Sequence, residues 1–147
     1  MSRFLLVIIT FFFFVQISCR KKNQQTQASQ NNPVPSVPVS ITLYPNDPLN
    51  FTIQSIGGWK YLSGGINGII VYRKSQQEFV AIERSSTYYP NNASAKVKVQ
   101  PDNFSCKDTI SGSKWQIIDG AVINGPAEWP LRLYATSFDG NALKIVN

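Results

Sequence analysis

Cys19 and Cys106 are the only thiols in this chain of 147 residues, its acids number eight, and it has no histidine. Without imidazole there is no Ser-His-Asp or Cys-His arrangement to take a nucleophile's proton. His-containing zinc, haem and non-haem iron sites are excluded for the same reason. Cys106 has no base to make it a thiolate, so it reads as a quiet, partly buried thiol. The eight acids are scattered through turns and strand ends, without the spacing of a glycosidase pair. No catalytic residue is assigned on this basis, and nothing in the sequence argues for an enzyme.

Cys19 has a different chemistry because of what precedes it. Arg3 is followed by a nearly unbroken apolar run over residues 4–15, and then by Gln16, Ile17 and Ser18. That is the organisation of a secretory signal, and the run is shorter than the roughly 20 residues that span a bilayer as a helix. A cysteine after a small residue at this point resembles the lipobox of bacterial lipoproteins, with Gln16 standing where an apolar residue is usual. The resemblance implies cleavage after residues 1–18 and a lipid on Cys19. The alternative is an ordinary secreted protein in which Cys19 carries no lipid. With Cys19 acylated, no intramolecular disulfide is available, although an oxidising compartment would permit one. The implied address is the bacterial cell envelope, at the outer membrane, with the membrane as a partner through the lipid.

Residues 19–40 change character. Arg20, Lys21 and Lys22 lead into a Gln/Asn/Ser tract and then Pro33, Pro35 and Pro38. With no apolar period, this stretch is expected to be a disordered tether.

The remaining residues, 41–147, suffice for one domain. Four of the chain's basic residues lie before it, leaving ten against all eight acids, a surplus of two. Those charges are interspersed, as where Lys96 and Lys98 alternate with Val97 and Val99, so no basic stripe marks a nucleic-acid site. The pattern is that of strands. Asp119-Gly120 and Asp139-Gly140 are each flanked by short apolar runs, the signature of hairpins, the second with a wider loop or bulge. Upstream, residues 51–56, 59–62, 69–72, 78–82 and 95–99 read as strands, the third and fourth paired across 73–77. Strands of this length with frequent turn signals predict an all-β domain of stacked antiparallel sheets or a small barrel, with almost no helix.

Four motifs together resemble Rieske-type domains, and most closely the small Gram-negative lipoproteins that carry one behind a lipobox and linker. They are Gly64-Gly65-Ile66-Asn67-Gly68 with the apolar run after it, Glu78 to Arg84, Ser111-Gly112-Ser113-Lys114-Trp115, and the stretch from Gly120 to Leu131 with its Gly125-Pro126-Ala127. The resemblance implies an all-β fold with two loops at one end, which in active members hold a [2Fe–2S] cluster through Cys-x-His and Cys-x-x-His. At the corresponding positions this chain has Ser86 and Tyr88 in the first loop and Asp108 and Ser111 in the second. With no histidine and one thiol left, no cluster, metal or other cofactor is expected. What the resemblance then implies is a lipid-anchored binding or accessory module, with Tyr88 and Tyr89 as its aromatic surface and an envelope protein or glycan as a possible partner. Competing readings are a Rieske-type electron-transfer protein, a carboxylate hydrolase, and a spacer or surface antigen without a ligand. Asp108-Thr109-Ile110 also resembles an O-glycosylation site of some envelope bacteria, and Asn50, Asn92 and Asn103 head Asn-x-Ser/Thr triplets that would be acceptors in a eukaryotic secretory pathway.

Overall fold

A computed structural model describes residues 32–147. The expected signal, Cys19 and residues 20–31 lie outside the described residues. Ten strands follow in chain order: β1 Ser40–Leu43, β2 Trp59–Leu62, β3 Ile69–Arg73, β4 Phe79–Glu83, β5 Val97–Val99, β6 Ser105–Asp108, β7 Lys114–Gln116, β8 Val122–Asn124, β9 Leu133–Phe138 and β10 Leu143–Val146. They form a curled six-stranded sheet in the order β1-β10-β9-β4-β3-β2 and a four-stranded sheet in the order β5-β6-β7-β8. Every pairing is antiparallel.

All five residues of β3 are buried, which explains its unbroken apolar run. Successive side chains of a strand point to opposite faces, so this strand serves two cores. Ile69 and Val71 join Ile53, Phe79, Ala81, Tyr134, Leu143 and Ile145 inside the curl of the large sheet. Ile70 and Tyr72 join Ile82, Val97, Cys106, Trp115, Ile117 and Leu131, between the large sheet and the small one. Each large side chain so buried stabilises the fold by about 1.5–3 kcal/mol.

Both Asp-Gly steps turn hairpins, in different sheets: β7 to β8 and β9 to β10. The second loop, 139–142, is longer than two residues as expected, but the first, 117–121, is wider still, and the β7–β8 pair carries a register shift at Lys114 and Trp115. The second is closed by Asp139, whose carboxylate accepts from the backbone N–H groups of Asn141 and Ala142 at 2.9 and 2.7 Å. Those two bonds hold the Asp139 carboxyl below the usual carboxylate range. Pairing of β3 with β4 across a turn also matches expectation.

Three expectations are corrected. Residues 51–56 are not a strand: Pro48–Ile53 is a 3₁₀ helix, kinked at Asn50. Asp47 caps it by accepting from Leu49 N at 2.8 Å, and Pro48 supplies the fixed φ favoured at the first helical position. Ile53 is buried while Phe51 is 72% exposed, so the alternation in this stretch is not a strand's two faces. The strand expected over 95–99 is reduced to Val97–Val99, with Lys96 in a single bridge to Ser85. Finally, residues 32–39, assigned to the tether, lie against the domain. Val34 is fully buried and its carbonyl accepts from the buried Arg132 guanidinium, Nε at 2.9 Å. Asn32 Nδ2 donates to Pro130 O at 2.8 Å, and Asn147 N donates to Val39 O at 3.2 Å.

Candidate functional site

The strand registers bring four connections to one end of the molecule. Leu62 faces Ile69, Ile69 faces Glu83, and Ile82 faces Leu133 in the large sheet; Val97 faces Asp108 and Lys107 faces Lys114 in the small one. The connections 63–68, 84–96, 109–113 and 125–132 therefore share this end, and it holds Ser86, Tyr88, Asp108 and Ser111.

In the first loop Ser86 is fully buried. Its N–H donates to Ala95 O at 3.0 Å and its hydroxyl oxygen accepts from Tyr88 N at 3.3 Å. Tyr88 points the other way. Its ring meets that of Tyr89 edge to face at 4.6 Å, and the two are 43% and 40% exposed. In the second loop Asp108 is buried, its carboxylate accepting from Ile110 N at 2.9 Å and from the Ser111 hydroxyl at 2.7 Å. Ser111 Oγ lies 3.0 Å from Ser113 Oγ, which accepts from Ala127 N at 2.9 Å. Segment 125–130 stitches the loops together, because Trp129 O accepts from Thr87 Oγ1 at 2.7 Å and from Trp115 Nε1 at 3.0 Å.

Sequence reasoning missed the most heavily bonded group at this end. Glu83 is fully buried at the end of β4. One of its oxygens accepts from Asn67 N at 2.9 Å and from Ser85 N and Oγ, both at 3.0 Å. The other accepts from Ile66 N at 2.8 Å and Tyr134 Oη at 2.6 Å. Burial and the bond to Glu83 push the Tyr134 phenol well above its ordinary range. Gly65 sits at φ +63°, where a Cβ would land on the Glu83 carboxylate and 2.5 Å from Tyr134 Oη. In the sequence Glu83 closes the apolar run 79–82 within the Glu78 to Arg84 motif, and no local signal foretells donors 16, 17 and 51 residues away.

Cys106 is fully buried between the two sheets. Burial, reinforced by the Asp102 carboxylate and opposed by the Arg84 guanidinium, pushes its thiol up to about 12. It is a packing residue, more deeply buried than expected. The groups at the loop end do not fit an iron–sulfur cluster. Ser86 and Asp108 have their oxygens engaged by neighbours within the protein, and the thiolates and imidazoles that a Rieske centre takes are missing. Among the described residues no group of three or more Cys, Asp or Glu side chains is placed to hold a metal ion.

At the opposite strand ends an open groove of about 550 Å³ is lined by Leu49, Phe51, Trp59 and Tyr61, with Lys60 and Asn103 among its polar groups. Trp59 Nε1 donates to Asn103 Oδ1 at 2.9 Å there.

No protein-family model matches the chain, and no curated protein matches it. Solved structures do. The plasma-membrane Rieske protein of the cyanobacterium Synechocystis PCC 6803 superposes with a TM-score of 0.52 at 19% identity, over 76% of this chain and 99% of that one. The ferredoxin of carbazole 1,9a-dioxygenase from Nocardioides aromaticivorans IC177 follows, with a TM-score of 0.49 at 15% identity, over 75% and 97%. The fold likeness rests on the first of these. The chain thus carries a nearly all-β domain of the Rieske fold, without the residues that a Rieske cluster takes as ligands.

Proposed function

We propose that this protein is a lipid-anchored component of the bacterial cell envelope whose cluster-free Rieske-like domain serves as a binding or accessory module. One observation carries the reading: the loop end is closed by hydrogen bonds within the protein. Asp108, Ser111, Ser113 and Ala127 form one chain of contacts, and Glu83 with its five donors forms another. Polar groups engaged in this way hold a rigid platform, and the sequence has no imidazole for a Rieske centre. What the platform presents to its surroundings is the aromatic pair Tyr88 and Tyr89. The lipid on Cys19 places that surface at a membrane, and the outer membrane is the address the lipobox-like sequence supports.

The anchor is tested by metabolic labelling with palmitate and fractionation of the native host. Wild-type protein is expected in the membrane fraction, labelled. Cys19→Ala is expected to carry no label and to keep its signal as a longer precursor. Mature wild-type protein that is soluble and unlabelled contradicts the proposal.

A further inference from the structure

We infer that the loop end docks on the lipid headgroup region of the membrane that holds the anchor, so that the bilayer interface is itself the partner of the Tyr88–Tyr89 surface. The inference rests on the lipid anchor proposed above and adds the orientation of the domain.

Where the chain enters the domain is the first ground. Ser40 of β1 pairs with Val146, and Val146 pairs with Ala135 near the start of β9, so β1 begins at the loop end. The residues before it stay there: Val34 is fixed by Arg132, and Asn32 by the carbonyl of Pro130, next to Trp129. Pro35 shares a hollow with Ile66, Asn67 and Pro90. The domain therefore hangs from its loop end. Thirteen residue steps separate Cys19 from Asn32, a reach of at most about 45 Å when fully extended.

The second ground is what this end exposes. Tyr88 is 43% exposed, Tyr89 40%, Trp129 41% and Ile66 38%. Tyr and Trp rings, apolar in body and polar at the tip, favour the layer between water and hydrocarbon. Here their bases are fixed, because Trp129 O is bound by Thr87 and Trp115 and the tyrosines follow the buried Ser86 and Thr87. A few half-exposed aromatics bind a bilayer weakly by themselves. On a tethered domain the contact is intramolecular, and a short linker supplies an effective concentration on the order of millimolar. Glu128 and Lys96 are exposed charges of opposite sign on the connections at this end, so a zwitterionic lipid is the suitable probe. The other apolar surface, around Leu49, Phe51 and Trp59, lies at the far strand ends and faces away from the membrane in this orientation.

The tryptophans report the orientation, since Trp129 lies at the loop end, Trp59 at the far end, and Trp115 is fully buried. Full-length lipidated protein is reconstituted into phosphatidylcholine vesicles with brominated acyl chains, and its emission is compared with that in unbrominated vesicles. Bromine is expected to quench the wild type and Trp59→Phe, and the quenching is expected to disappear in Trp129→Phe. Should Trp129→Phe fail to fold, Trp59→Phe alone decides, because its only exposed indole is Trp129. Quenching of Trp59 in place of Trp129, or of neither, overturns the inference; the second outcome leaves the surface for an envelope protein or glycan. Flotation with the vesicles is read separately. Protein that floats without quenching contradicts the orientation alone, whereas protein that carries no lipid and does not float overturns the anchor and the orientation together.

Discussion

Glu83 decides whether the loop end keeps its shape. Its two oxygens accept five hydrogen bonds from Ile66, Asn67, Ser85 and Tyr134. Glu83→Gln turns an amide N–H₂ toward groups that are themselves donors and is expected to cost about 3 kcal/mol. Tyr134→Phe removes one bond and is expected to cost about 1 kcal/mol. Gly65→Ala is expected to destabilise as well, since its methyl would occupy the carboxylate's place. Urea denaturation orders the three, and a Glu83→Gln midpoint equal to wild type would show that the network carries nothing. Cys106 gives a pH dependence. Its thiol ionises near 12 in the folded protein, against about 8.5 in an unfolded chain. The native state therefore holds this proton more tightly, and the stability it contributes is complete below about 8.5 and falls as the pH rises toward 12. Tyr134, also raised, adds a loss of the same sign above its ordinary range. Cys106→Ala is expected to flatten the part of the alkaline decline that begins near pH 8.5–9, as read by unfolding midpoints from pH 7 to 11.

Segment 32–39 behaves as part of the domain although its composition reads as linker. Removing it exposes the apolar site that Val34 fills and takes the Val34 carbonyl from the buried Arg132. A chain starting at Ser40 is expected to lose about 3 kcal/mol or more relative to one starting at Asn32, from one buried valine and one buried charge-assisted hydrogen bond. For a domain of this size that lowers the melting temperature by roughly 10 °C or more. Equal melting of the two chains contradicts the docking of this segment. The contrast shows which elements were legible. Hairpins at Asp119-Gly120 and Asp139-Gly140 were readable because turn chemistry is local. The 3₁₀ helix carried a local signal as well, Asp47 followed by Pro48, but the apolar spacing of Phe51 and Ile53 mimicked a strand. Arg132 and Val34, 98 residues apart, had no signature at all. A lone arginine near a strand and a lone valine among prolines acquire meaning only when the chain brings them together.

The whole molecule combines a Rieske fold with loops stitched by serine, aspartate, glutamate and backbone groups. What its candidate site could not be was legible, since a chain with no histidine cannot build a Rieske centre whatever its register. What ties the loops together was not, because Trp129 O, Thr87, Ser113 and Ala127 meet only through the fold. The charge surplus of the domain is small, and among the described residues no helix is long and apolar enough to cross a membrane. The fold carries a cluster in Rieske proteins, and this chain is expected to hold none. The most direct measurement is to express the chain under conditions that load known Rieske proteins and to determine iron, acid-labile sulfide and the visible spectrum. A colourless protein with neither iron nor sulfide is the predicted result. Near-stoichiometric iron and sulfide with the matching absorbance would contradict it.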